Sequence, residues 1–202
     1  VERVTTGELI ETPQRGLRAD ARRNNDALLR AARSVFAELG PDAPLEEIAR
    51  RAGVGIGTLY RHFPTRFDLQ QAVMEQHVGR LIALAEAALD ESDPGAAVEQ
   101  WLATKLRTSR EYHGLGAAVW LVIADKPSEY GSHCELLYRR FAELLRRAQD
   151  AGVIRSDVTS RQVLRLVNGI VLSTEKAHDR EREMLQLFQV VMAGLRVPPT
   201  AP

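Results

Sequence analysis

Apolar residues recur at helical spacing along almost the whole chain, from about residue 18 to residue 195, and the main interruptions are glycine and proline. No turn pair flanked by alternating β-branched runs marks a hairpin. The pattern admits an all-α fold of about nine helices. They are expected near 18–39, 45–51, 56–63, 65–90, 96–109, 115–124, 132–151, 160–176 and 180–195. Gly40-Pro41 stops the first, Gly53 the second and Pro64 the third, while Thr65 with Asp68 three residues on forms the signature of a capping box.

The second and third helices are short, close together and pinned by apolar residues. Ala49 is small where one must cross its neighbour. Gly53 can take positive φ at the turn, and Ile48, Val54, Leu59 and Phe63 can fasten both helices to the first. This arrangement is a helix-turn-helix, and its third helix would enter a major groove. Gly55, Ile56, Gly57, Thr58, Arg61 and His62 then lie on its leading end and exposed face, with Arg61 the candidate reader of guanine.

Charge agrees with that placement. The whole chain is neutral, with 27 basic and 27 acidic residues. Between Pro13 and Arg66, however, ten arginines face six acidic residues, whereas the rest of the chain is slightly acidic. A local basic patch suffices to attract DNA to a neutral protein. Arg15, before the first helix, clusters with Arg18, Arg22 and Arg23 at its start, while Arg50 and Arg51 read as a solvated face.

The segment LEEIARRAGVGIGTLYRHFPTRFDLQQAV, residues 45–73, resembles the DNA-binding signature of TetR-type transcriptional regulators, with the run from Gly57 to Phe63 as its most specific part. The likeness covers about the first third of the chain. It implies that Thr58, Arg61 and His62 face DNA, that Tyr60 and Arg66 meet the phosphate backbone, and that Arg18 and Arg22 add backbone contacts. It departs at Pro44 and Gly55, where a hydroxyl residue is usual. The implied organisation is a flexible arm (1–16), a helix-turn-helix head (17–64), a helical effector-binding and dimerisation body (65–197) and a frayed tail (198–202). The implied function is a repressor released from a palindromic double-stranded operator by a small molecule.

In the body, the last two helices have broad apolar faces. Val163, Val167, Ile170 and Val171 on one, and Met184, Leu187, Phe188 and Val191 on the other, are expected to form a homodimer interface, with Gly169 allowing close approach and Asn168 bonding across it. His77, Trp101, Tyr112, Trp120, Cys134, Tyr138 and Phe141 are the candidate lining of a pocket for a hydrophobic or aromatic effector.

Other classes find less support. An apolar content of 45% and a charged content of 27% exclude collagen-like and disordered chains. With one cysteine and no apolar run of about 18 residues, the chain is expected to work in a reducing cytoplasm, away from membranes. The consecutive His133, Cys134 and Glu135 would fan about 100° apart on a helix, so they do not form a catalytic group. His178 with Glu175 and Glu181 reads as surface charge and not as a metal site. No enzyme activity and no cofactor are expected. The alternative is a helical small-molecule-binding or enzymatic module that no longer binds DNA.

Overall fold

The computed structural model describes residues 13–112, 115, 129–175 and 177–198; side chains are described for these except 13–19, 110, 111, 129 and 130. Among the described residues the fold is all-helical, with eight α-helices and one isolated antiparallel bridge, Ile154 with Arg196. The expected helix at 115–124 falls outside the described residues except for Leu115, which is buried. So do most of the expected arm and tail.

The first helix, α1, spans Pro13–Leu39 and starts five residues before the expected Arg18. Proline suits a first turn, because the N–H it lacks would have no helical partner. Leu28, Ala31, Ala32, Val35 and Phe36 form its buried stripe, whereas Leu39 is 56% exposed. It lies in the last turn, where Gly40 (φ 84°) bends the chain away and donates to Phe36 O at 2.9 Å.

Two short helices follow, α2 (Leu45–Ala52) and α3 (Ile56–His62). Gly53, at φ 71°, ends α2 in a Schellman arrangement: its N–H bonds Arg50 O and that of Val54 bonds Ala49 O. Ile48, Ala49, Leu59 and Phe63 are buried, with α2 packed on α1 and α3 on α2, while Val54 is half-buried. Neither Pro44 nor Gly55 offers a side-chain cap to the helix it precedes.

The long α4 (Arg66–Ala88) opens on the capping box expected at Thr65 and Asp68, with both arms formed. It continues from the head into the body, where it packs along α6 (Glu129–Asp150) and beside α5 (Pro94–Thr108). A 3₁₀ turn, Ser109–Tyr112, returns the chain toward α1. Helices α7 (Ser160–Ser173) and α8 (Arg180–Leu195) pack on each other and on α5. The α6–α7 loop is laced to the end of α8 by Arg155 N to Leu195 O and Val197 N to Val153 O.

Gly53→Ala is expected to lower stability by about 1 kcal/mol, through backbone strain at positive φ alone. Nothing lies within 4 Å of the added methyl, so no steric clash contributes. Denaturant titration reads the change; a loss near zero would show that the turn relaxes out of its left-handed geometry.

Candidate nucleic-acid interface and effector site

The outer surface of α3 is built from residues with no task in the core. Gly55, Ile56, Gly57, Tyr60 and Arg61 are exposed, with Ile56 38% and Tyr60 46% uncovered although both are large and partly apolar. Thr58 and His62 are half-buried, and the His62 ring is tilted against Phe63. Leu59, between them, is fully buried and carries the packing. Arg22 is exposed on α1; the side chain of Arg18 lies outside those described.

The arginines expected to be solvated are engaged with acids. Arg50 and Arg51 both donate to Glu47, and Arg51 also reaches Glu38 on α1 at 2.7 Å. Hydrogen bonds from Arg50 and Arg51 hold the Glu47 carboxyl down to about 2. This network spans α1 and α2 and leaves Arg61 as an exposed cation with no ion pair among the described residues.

Arg66, expected on the DNA backbone, is half-buried at the start of α4. Its Nη1 turns inward and donates to the carbonyls of Pro41 and Ala43, in the turn between α1 and α2. Gln70, one turn further along α4, is buried and donates to Pro41 O at 2.8 Å. The turn's carbonyls lack helical partners, and a guanidinium supplies several donors in a fixed fork. Together the two side chains fasten α4 to the head.

In the body, the seven residues expected to line a pocket separate. Trp101 and Phe141 are buried and stacked at 4.6 Å, and Trp101 Nε1 donates to Leu81 O at 2.9 Å, as a satisfied core tryptophan does. Phe141 is likewise core, being fully buried. Tyr138 is half-buried under the Arg161 guanidinium, Cys134 is half-buried, and Trp120 lies outside the described residues. His77 and Tyr112 do come together, their rings stacked at 4.0 Å, with Arg80 donating to the Tyr112 hydroxyl. Trp101 also borders a cleft between α4 and α5 with Leu84, Ala88, Ala97 and Thr104.

Sequence reasoning missed Lys105. It falls four residues after Trp101 and seven after Val98, on the buried stripe of α5, and only 7% of its surface is exposed. Its Nζ donates to Asn168 Oδ1 on α7 at 2.5 Å, so the oxygen of Asn168, expected to bond across a dimer, is engaged within the protomer. Burial pushes the Lys105 ammonium down to about 8. Burial also pushes His77 down to about 3, assisted by the nearby charges of Lys105 and Arg80.

The expected dimer residues are also redistributed. Val163, Val167, Ile170, Met184 and Phe188 are buried in the protomer core, so they have no surface left for a partner; Val171 and Val191 are half-buried. Leu187 is exposed. The outward apolar surface is made instead by Leu166 (54% exposed), Leu172 (63%) and Val190 (69%), with Leu185 and Leu187 nearby. A Cβ added at Gly169 would meet nothing, so this position is open on the same side.

A three-helix head of this geometry on a larger helical body defines a class of DNA-binding regulators, and comparison with known proteins gives the family. Residues 28–73 match the bacterial regulatory proteins of the tetR family, and residues 93–197 match the transcriptional regulator SbtR-like C-terminal domain. An HTH-type transcriptional regulator of Mycobacterium bovis is 31% identical over 159 residues, covering 75% of this chain and 80% of that one. A TetR transcriptional regulator from Streptomyces coelicolor superposes with a TM-score of 0.69 at 37% identity, over 88% of this chain and 99% of that one. A TetR regulatory protein from Mycobacterium vanbaalenii gives 0.65 at 33%, over 90% and 99%. The chain belongs to the TetR family and is a DNA-binding transcriptional regulator.

A histidine held neutral by the fold stabilises it fully above the unfolded value of 6.5, and that contribution is lost as pH falls toward 3, because the unfolded chain takes up the proton first. Between roughly pH 7 and pH 5 the loss attributable to His77 is about 2 kcal/mol. His77→Phe keeps the ring stack and is expected to remove this part of the acid sensitivity. Denaturant titrations at both pH values measure it; an unchanged slope would take His77 out of the acid response.

Proposed function

We propose that the protein is a homodimeric repressor that binds a roughly palindromic operator through two copies of α3 and leaves it when a small molecule enters the body. The observation that carries the reading is the division of labour on α3: Leu59 is buried while Ile56, Gly57, Tyr60 and Arg61 stand outside. An arginine in that position suits the O6 and N7 acceptors of guanine, an isoleucine suits a thymine methyl, and a tyrosine hydroxyl suits a phosphate. Arg18, Arg22, Thr58 and His62 are proposed as further DNA contacts, and Gly55 and Gly57 as positions where the backbone can come close.

The outward leucines and valine of α7 and α8 support the dimer. A copy of the same surface would cover them in a four-helix, isologous contact, and it would supply the second recognition helix that a palindrome requires. The protein acts by binding, without catalysis. Among the described residues no three His, Cys, Asp or Glu side chains form a metal-holding group, and no helix is long and apolar enough to cross a membrane. A cytoplasmic location follows from the operator being there.

Selection of bound fragments from the source genome would supply the operator. On it, Arg61→Ala is expected to cost roughly 1 to 3 kcal/mol and to relax the sequence preference. Arg66→Ala is expected to weaken the head by about 1 kcal/mol while leaving the salt slope of DNA binding unchanged, since its donors serve the Pro41 and Ala43 carbonyls. A slope that falls by about one in Arg66→Ala would restore Arg66 to the phosphate backbone. Val190→Glu is expected to give a monomer by light scattering and to abolish tight operator binding; a dimer that survives the change moves the interface elsewhere.

A further inference from the structure

Among the described residues, the interior of the body holds a buried ammonium with no carboxylate beside it. Lys105 is almost wholly buried and hydrogen-bonded to a neutral amide, Asn168 Oδ1. Arg80, exposed on α4, donates to the neutral hydroxyl of Tyr112, and the buried His77, stacked on that ring, lies close enough to feel both cations. Among the described residues no carboxylate pairs with Lys105, Arg80 or His77. Desolvating an ammonium costs free energy that one hydrogen bond to an amide does not offset, so a chain selected for stability alone would place an apolar side chain there.

Resting on the effector-released reading above, we propose that Lys105, together with Arg80 and the His77–Tyr112 ring pair, anchors an effector that carries a carboxylate. The amide oxygen of Asn168 occupies a place where a carboxylate oxygen would bind Nζ more strongly, because a charge-assisted hydrogen bond exceeds a neutral one. Asn168 is exposed on α7, at the border of its buried stripe, so the ammonium is one side chain from the surface. The stacked rings offer flat apolar area beside the anion, and Arg80 offers a second donor. With Asn168 the five residues come from α4, α5, the 3₁₀ turn and α7, so a bound anion would draw separate elements together.

Thermal melting of the full chain at constant ionic strength tests this, with benzoate and hexanoate as probes and benzamide and hexanamide as neutral counterparts. The acids are expected to raise Tm by roughly 4 °C near saturation, and the amides are not. Lys105→Met and Lys105→Gln are both expected to lose that rise while melting at or above the wild-type temperature without ligand. Equal shifts with acid and amide, an acid shift retained in either variant, or no shift with any of the four probes would overturn the site. Collapse of both variants would also overturn it, by making Lys105 a structural tie to Asn168. Anisotropy of a genomic fragment bound to the same protein separates the two readings. A Lys105-dependent melting shift with unchanged DNA affinity keeps the site and defeats release by the effector; release of DNA by a ligand that leaves Lys105→Gln equally responsive keeps regulation and defeats the site.

Discussion

The position of α3 depends on the hold that the first turn of α4 takes on the carbonyls between α1 and α2. Gly40 ends α1 abruptly, and the turn that follows presents the Pro41 and Ala43 carbonyls with no helical N–H to meet them. Arg66 and Gln70 meet them instead. Buried Leu69 and Val73 lie on the same helix, so polar and apolar contacts lock one register of α4 on the head. The capping box at Thr65 fixes where that helix starts, and with it the direction in which Arg66 leaves the backbone.

A second constraint acts further down α4. His77 and Arg80 bring polar chemistry into a region otherwise made of leucine, valine and aromatic packing, and each has a partner on the 3₁₀ turn. Nearby, Arg140 of α6 binds Glu86 of α4 at 2.9 Å, an exposed ion pair of small energetic weight. The apolar face from Leu81 to Ala85 carries the packing at that end. The body is therefore rigid where α4 meets α6 and polar where α4 meets the 3₁₀ turn.

Periodicity and punctuation made the head readable from the sequence. The spacing of Ile48, Ala49, Leu59 and Phe63, with Gly53 between the helices, has few alternative folds, and local chemistry at Gly40, Gly53 and Thr65 marks the ends. The body was harder for a physical reason: on α7 and α8 apolar residues lie on two sides, and periodicity shows that a side is apolar without showing what covers it. Val163 and Phe188 face the protomer core, whereas Leu166 and Val190 face outward. Lys105 was hidden by its residue type, since a lysine on an apolar stripe is ordinarily taken to reach solvent by its length. Its place at seven residues from Val98 was the available signal. For Arg66 the resemblance implied a phosphate contact, and the sequence does not show that two carbonyls nearby take its Nη1 donors.

The two polar sites lie on one continuous helix. From Arg66 to Arg80 is fourteen steps along α4, about 21 Å of axis. On the proposed reading, a change in how Arg80 and His77 are held would alter, through this helix, the angle at which Arg66 and Gln70 hold the head. Small angles matter because two recognition helices must match the spacing of adjacent major grooves at once. A ligand can bias that angle only by the difference between its affinities for the two arrangements, and a tenfold change in operator binding needs about 1.4 kcal/mol of such difference. On the proposed reading, an anion that pairs with the buried Lys105, which has no carboxylate partner among the described residues, would supply such a difference only in the arrangement that lets it reach the ammonium.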